Sequence, residues 1–265
     1  TFYIMINYLK QKIVSENLDF KEILLVPLFA TLFALLIGCL FLLATGEDFK
    51  NIFIAYSSLF IGSLGSLNAL SETFTAATPL VLAALGIALA FRAGLFNIGA
   101  EGQMIIGGMA TVIVGFSIDF LPIWIHLPLA LSIGALFGAM YASIAGWLKA
   151  STGAHEVIST IMLNLIAVRL LDYMLRSPII QKEGRNDPIS KSVLNTSELP
   201  QLLSFIDPQL RLHAGFLVML GAVLLIHWLL FHTTIGYEFR STGANPNAAK
   251  YAGIKAAFTI VLVMF

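Results

Sequence analysis

The sequence predicts an all-α fold, a polytopic bundle of transmembrane helices, and three observations carry that prediction. Of its 265 residues, 58% are hydrophobic and 11% are charged, whereas a soluble domain carries about 25% charged residues. The mean hydropathy is +0.89. Apolar runs close to the roughly 20 residues that cross a bilayer core recur along the whole chain.

The lead-in, residues 1–23, contains "MINYLKQKIVSENLDFKEI", which mixes Lys10, Lys12 and Lys21 with apolar residues and suits a cytoplasmic or interfacial segment. Residues 24–265 then form the transmembrane domain. Spans are expected at 24–45, 74–91, 98–118, 128–148, 157–175 and 213–231, with a seventh beginning at 256. The first run is too long for a signal-peptide core and is followed by "GEDF" rather than a cleavage pattern, so it is retained. The last run, "AAFTIVLVMF", is too short to cross, and the sequence opens at Thr1, so at least seven spans and a longer chain are expected.

Alternation from a cytoplasmic N-terminus places Arg92, Lys149 and the 232–255 loop inside, and 46–73, 119–127 and 176–212 outside. Arg176, Lys182, Arg185, Lys191 and Arg211 in the outer segment weaken the positive-inside count for this orientation. That segment, broken by prolines at 178, 188, 200 and 208, reads either as a solvated connector or as a docking surface for an external protein, with "LPQLLSF" as a short interfacial helix.

Several function classes drop out. The formal net charge is +0 and there is no basic tail, so no nucleic-acid partner is expected. Cys39 is single and lies in an apolar run, and histidines 126, 155, 213, 227 and 232 lack metal-ligand spacing, so no metal site is expected. No GxxxxGK[ST], HExxH or GxSxG pattern occurs, which leaves no sign of nucleotide, protease or hydrolase chemistry and no catalytic residue.

Polar residues at membrane depth are costly and therefore informative. "FRAGLFNIGAEGQMIIGGMA", 91 to 110, sets Arg92, Asn97, Glu101 and Gln103 among five glycines. Such density suits either close helix packing, with Glu101 pairing Arg92 or capping a helix, or a broken helix lining a solute pathway. Thr160 and Asn164 fall on neighbouring turns of the 157–175 span, and Arg169 and Asp172 are spaced to pair. Pro79 should kink its span beside Thr75 and Thr78.

"FRSTGANPNAAKYAGIK", 239 to 255, has the makings of a short capped helix between two spans: Asn245 as N-cap, Pro246 at the first position, Gly253 as the stop. Such a rod either folds back on the membrane or docks into a groove of another protein.

"GYEFRSTGANPNAAKYAGI" resembles the cytoplasmic loop of ABC-transporter permeases of the branched-chain amino acid, ribose and nucleoside group, through Gly236, Gly243, Asn245, Ala248, Ala249, Ala252, Gly253 and Ile254. "GLFNIGAEGQMIIGG" and "STGAHEVISTIMLNLIA" resemble the nucleoside branch, whose members work with a basic-membrane-protein-type lipoprotein. The resemblance implies a multi-pass permease subunit in the bacterial cytoplasmic membrane. It also implies a second permease subunit, homologous or identical, an extracytoplasmic solute-binding lipoprotein, and separate ATP-binding subunits that carry ATP-Mg, with no cofactor on this chain. Gly243, Asn245, Pro246, Ala248, Ala249, Lys250 and Gly253 would serve ATPase coupling. Asn97, Glu101, Gln103, Thr160, Asn164 and Phe96 would line the pathway, with Phe74, Phe91 or Phe96 available to stack a base. Simple sugars or branched-chain amino acids are the alternative solutes. A stand-alone secondary transporter is the alternative mechanism, and an intramembrane enzyme a distant third.

Overall fold

A computed structural model describes residues 20–265, with side chains from 24 onward; the expected interfacial segment at 1–23 lies outside the described residues apart from the helix that begins at Phe20. The chain divides into two compact units, residues 1–69 and 70–265.

In the first unit, α1 (Phe20–Ala44) joins α2 (Phe49–Leu64) through a turn at Gly46, whose φ of 94° favours glycine. The Tyr56 hydroxyl donates to the Leu35 carbonyl at 2.6 Å and ties the two helices together. The sequence reading leaves 46–73 as an outer connection and misses α2. At 16 residues it spans about 24 Å, short of a bilayer core, which is why a search for long apolar runs passes over it.

α3 (Leu67–Arg92) leads into the second unit, followed by α4 (Ala100–Ser117), α5 (Ile123–Thr152), α6 (Glu156–Leu175), α7 (Gly215–His232), α8 (Thr234–Ala244), α9 (Pro246–Tyr251) and α10 (Ala256–Met264). Six described helices, α1 and α3 to α7, are long and apolar enough to cross a membrane. α3 runs unbroken through Pro79. The Thr78 and Thr75 hydroxyls do not go to the carbonyl that the proline frees but donate to those of Phe74 and Ser71, each at 2.7 Å.

α4 packs along α5 and against α6, and α10 lies on α5. The α4–α5 seam is built from glycines: a Cβ at Gly107 would stand 2.8 Å from the Gly134 carbonyl oxygen, and one at Gly138 would stand 3.1 Å from that of Gln103. Without a hydrophobic force between helices in lipid, such close backbone approach supplies the packing. Ala90, Ala93, Leu95, Ala145, Phe239, Val263 and Met264 form a buried cluster where α3, α5, α8 and α10 converge. It fixes the end of the bundle at which α3 stops.

The opposite end is capped by the 176–212 segment, which is more than a solvated connector. His126, fully buried on α5, joins the Thr196 hydroxyl at 2.8 Å and the Val114 carbonyl at 3.1 Å. The Leu194 amide donates to the Gly115 carbonyl, and the Leu212 amide to the Ser71 hydroxyl, both at 2.9 Å. Asp187 is bonded by Arg185, which holds its carboxyl below the usual range. The expected helix at "LPQLLSF" is not formed; a 3-10 turn at Asn195–Ser197 stands upstream instead, because prolines at 200 and 208 and the bridge between Gln201 and His213 hold that stretch as turns. Asp172 pairs with Arg176, at 3.2 Å, rather than with Arg169, since four residues bring the two side chains onto one face in the favoured acid-first order.

Candidate functional site

Between α3 and α4 the chain leaves the helix for residues 93–99. Gly94 makes this possible with φ 77°, and the Leu95 amide turns back to the Ala90 carbonyl at 2.9 Å. A non-helical stretch beside transmembrane helices must find partners for its backbone, because lipid offers none. It finds them on α6. Glu156, Thr160 and Asn164 repeat every fourth residue and so share one face. Glu156 Oε1 lies 3.4 Å from the Phe96 amide and Thr160 Oγ1 lies 3.4 Å from the Ile98 amide. Asn164 Oδ1 accepts from the Gly102 amide and its Nδ2 donates to the Ile98 carbonyl, each at 2.9 Å. Asn97 closes the junction on itself: its Oδ1 accepts from the Gly99 amide at 2.7 Å and from Gln103 Nε2 at 3.3 Å.

The expected pathway residues therefore come together in one place but differ in what they do there. Asn97 and Thr160 are buried, at 6% and 1% exposure, and with Asn164 they splint the junction. Glu101 is exposed in the first turn of α4, where a carboxylate meets the positive end of the helix; it forms no ion pair with Arg92 among the described residues. Gln103 is half-buried, and Phe96 is exposed, edge-on to Phe91 at 4.9 Å. Sequence reasoning missed Glu156, whose Oε2 holds Lys149 of α5 at 2.8 Å. The spacing of 156, 160 and 164 is the signal that points to it.

The 232–255 loop begins at the same end of the bundle. Thr233 caps α8 by accepting from the Gly236 amide at 3.1 Å. Asn245 then caps α9: its Oδ1 accepts from the Asn247 and Ala248 amides at 3.0 and 3.1 Å, with Pro246 at the first position and Gly253, φ 86°, ending the turn. Ala248, Lys250 and Tyr251 face outward, Tyr251 at 95% exposure, whereas Ala249 is buried at 3%. Ala249 thus packs the elbow rather than forming its outer face. Replacing Asn245 with alanine should cost about 1 kcal/mol of local helix stability, read as a roughly fivefold loss of hydrogen-exchange protection at the Ala249 and Ala252 amides.

The family described as branched-chain amino acid transport system / permease component matches residues 69–265. The chain belongs to this family. The match begins beside the boundary between the two compact units, so the second unit is the family's domain. With six helices able to cross among the described residues, the chain is a multi-pass permease component of the cell membrane. A guanosine ABC transporter permease protein of Bacillus subtilis (strain 168) is 38% identical over 242 residues, 91% of this chain and 67% of that protein. A nucleoside ABC transporter permease protein of Lactococcus lactis subsp. cremoris (strain MG1363) is 35% identical over 91% of this chain and 66% of its own length. A glucose ABC transporter permease protein of Haloferax volcanii is 34% identical over 90% of this chain and 63% of its own. The chain spans about two thirds of the length of these relatives. No solved structure matches it.

Proposed function

We propose that this permease component is the membrane-spanning subunit of an ATP-driven importer of nucleosides. The observation that carries the reading is the rigidly capped α8–α9 elbow at the end of the bundle where the α3–α4 junction lies. A handle that is to be moved by another protein must be stiff, and the double capping supplies that stiffness. Separate ATP-binding subunits carrying ATP-Mg grip the outward face of α9 formed by Ala248, Lys250 and Tyr251. A second permease subunit completes the pathway, and an extracytoplasmic solute-binding lipoprotein delivers solute to the end capped by 176–212. The similarity to permeases named for guanosine and nucleosides supports the solute class.

Within the site, Glu101, Gln103 and Phe96 carry the contacts with solute, while Asn97, Thr160 and Asn164 keep the junction in shape for them. A polar, half-exposed lining binds weakly enough to release what it receives. Glucose is the second reading, favoured by the similarity to the Haloferax volcanii permease.

The test is uptake by the complete complex in lipid vesicles, supplied with labelled guanosine, glucose or leucine. ATP-dependent accumulation of guanosine is expected, and Glu101→Ala should lower it at least tenfold while the ATP-binding subunits still co-purify. Accumulation that needs an ion gradient and no ATP would make the protein a secondary transporter. Preference for glucose or leucine would reassign the solute.

A further inference from the structure

The α3–α4 junction is gripped from two sides. α6 holds one side through Glu156, Thr160 and Asn164. On the other side α8 meets it with no side chain between: a Cβ at Gly243 would strike the Arg92 carbonyl oxygen and stand 2.8 Å from both the Ala93 carbonyl carbon and the Gly94 nitrogen. In return a Cβ at Gly94 would lie 3.1 Å from the Gly243 Cα. Gly243 is two residues before Asn245, the cap of α9. A side-chain contact absorbs displacement by changing rotamer, but backbone on backbone at van der Waals distance has no rotamer to change and passes the displacement on.

The two grips differ in strength. Both Asn164 contacts are 2.9 Å, whereas the Phe96 and Ile98 amides lie 3.4 Å from their acceptors, where a hydrogen bond is already weak. The junction is thus anchored at its Asn164 end and lightly held at Phe96, two residues from the Gly94–Gly243 contact. A push entering at Gly94 meets the two longer contacts before those of Asn164.

We propose that residues 93–99 are the joint that receives the movement of α9, and that Glu156 is a positioning residue that sets the resting place of this joint through the Phe96 amide. This rests on the reading that ATP-binding subunits move α9. Lys149 orients the Glu156 carboxylate from α5, at 2.8 Å, so that its other oxygen faces Phe96. When the joint lifts, the exposed Phe96 side chain swings with it and changes the opening at this end of the bundle.

The experiment measures guanosine taken up per ATP hydrolysed by the complete complex in lipid vesicles. Gly94→Ala places a Cβ at a left-handed φ and against Gly243, so the ratio should fall about tenfold with the ATP-binding subunits still attached. Glu156→Ala should lower it about tenfold as well. Glu156→Gln keeps a carbonyl oxygen for the Phe96 amide and should stay within about threefold of the unaltered protein. The exchange Lys149→Glu with Glu156→Lys restores an ion pair but no acceptor, and its ratio should stay low. Recovery in the exchanged protein would reduce Glu156 to a clamp between α5 and α6 and overturn its role. If Gly94→Ala does not assemble, the Glu156 series decides alone. An unaltered complex that takes up guanosine with ATP, beside variants whose ratio is unchanged, rejects the joint and leaves the importer standing. An unaltered complex with no ATP-dependent uptake of guanosine, glucose or leucine rejects the importer, and the joint with it.

Discussion

Replacing Gly134 with leucine is expected to abolish the folded permease. A Cβ at Gly134 would run into the Thr111 hydroxyl and stand 2.9 Å from the Gly107 carbonyl oxygen, so the first added carbon already meets backbone. Overpacking of an ordinary core costs about 1–3 kcal/mol because side chains shift aside. Here the whole of α4 must move off α5, with loss of the seam at Gly107 and Gly138. Against a total stability of about 5–15 kcal/mol, losing the principal helix interface leaves little. The yield of monodisperse protein in detergent should fall at least tenfold. Gly108→Leu, one residue from Gly107 but with nothing within 4 Å of its Cβ, is the control and should behave as the unaltered protein. Equal yields from the two would mean that the helices are not seated on each other through these glycines.

Asn164→Leu is expected to give the second largest effect. It removes the acceptor of the Gly102 amide and the donor to the Ile98 carbonyl in one step. Leucine is of similar size but cannot bond, and it leaves the amide of the buried Gly102 without this acceptor, whereas the Ile98 carbonyl lies in an exposed contact. A buried orphaned group costs about 1–3 kcal/mol and the exposed Ile98 carbonyl adds little, so the unfolding free energy should drop by about 1–3 kcal/mol, measured by denaturant titration in detergent. Guanosine uptake should fall with it. A midpoint unchanged from that of the unaltered protein would show that the junction keeps its shape without Asn164.

These two substitutions separate what is local from what is distant. The spans were legible because a run of about 20 apolar residues needs no partner to be recognised. The cap of α9 was legible for the same reason: Asn245, Pro246 and Gly253 act on amides and carbonyls within a few residues of themselves. α8 escaped because Gly236 and Gly243 look like helix breakers. In the fold they are the points at which it approaches the Leu230 carbonyl and the Arg92–Gly94 backbone. Helix propensity is a weak prior, and packing overrode it. Glu156 escaped because its partner amide is 60 residues away, and the contacts of Asn164 lie 62 and 66 residues away. No reading confined to one span reaches that far. The sequence did bring Asn97, Thr160 and Asn164 forward, since a polar side chain among apolar ones stands out, but it was silent on whether they face solute or backbone.

Composition and apolar run length by themselves determined that this chain lives in a membrane as a helical bundle, because transfer of side chains from water to lipid is a sum over residues and needs no geometry. Local capping chemistry likewise determined the short rod at 246–251. Only the tertiary structure decided that the break between α3 and α4 is splinted by α6 and touched by α8. The cause is that a backbone amide taken out of a helix inside a membrane must be satisfied by whatever the fold brings to it, and that is a property of three-dimensional neighbours.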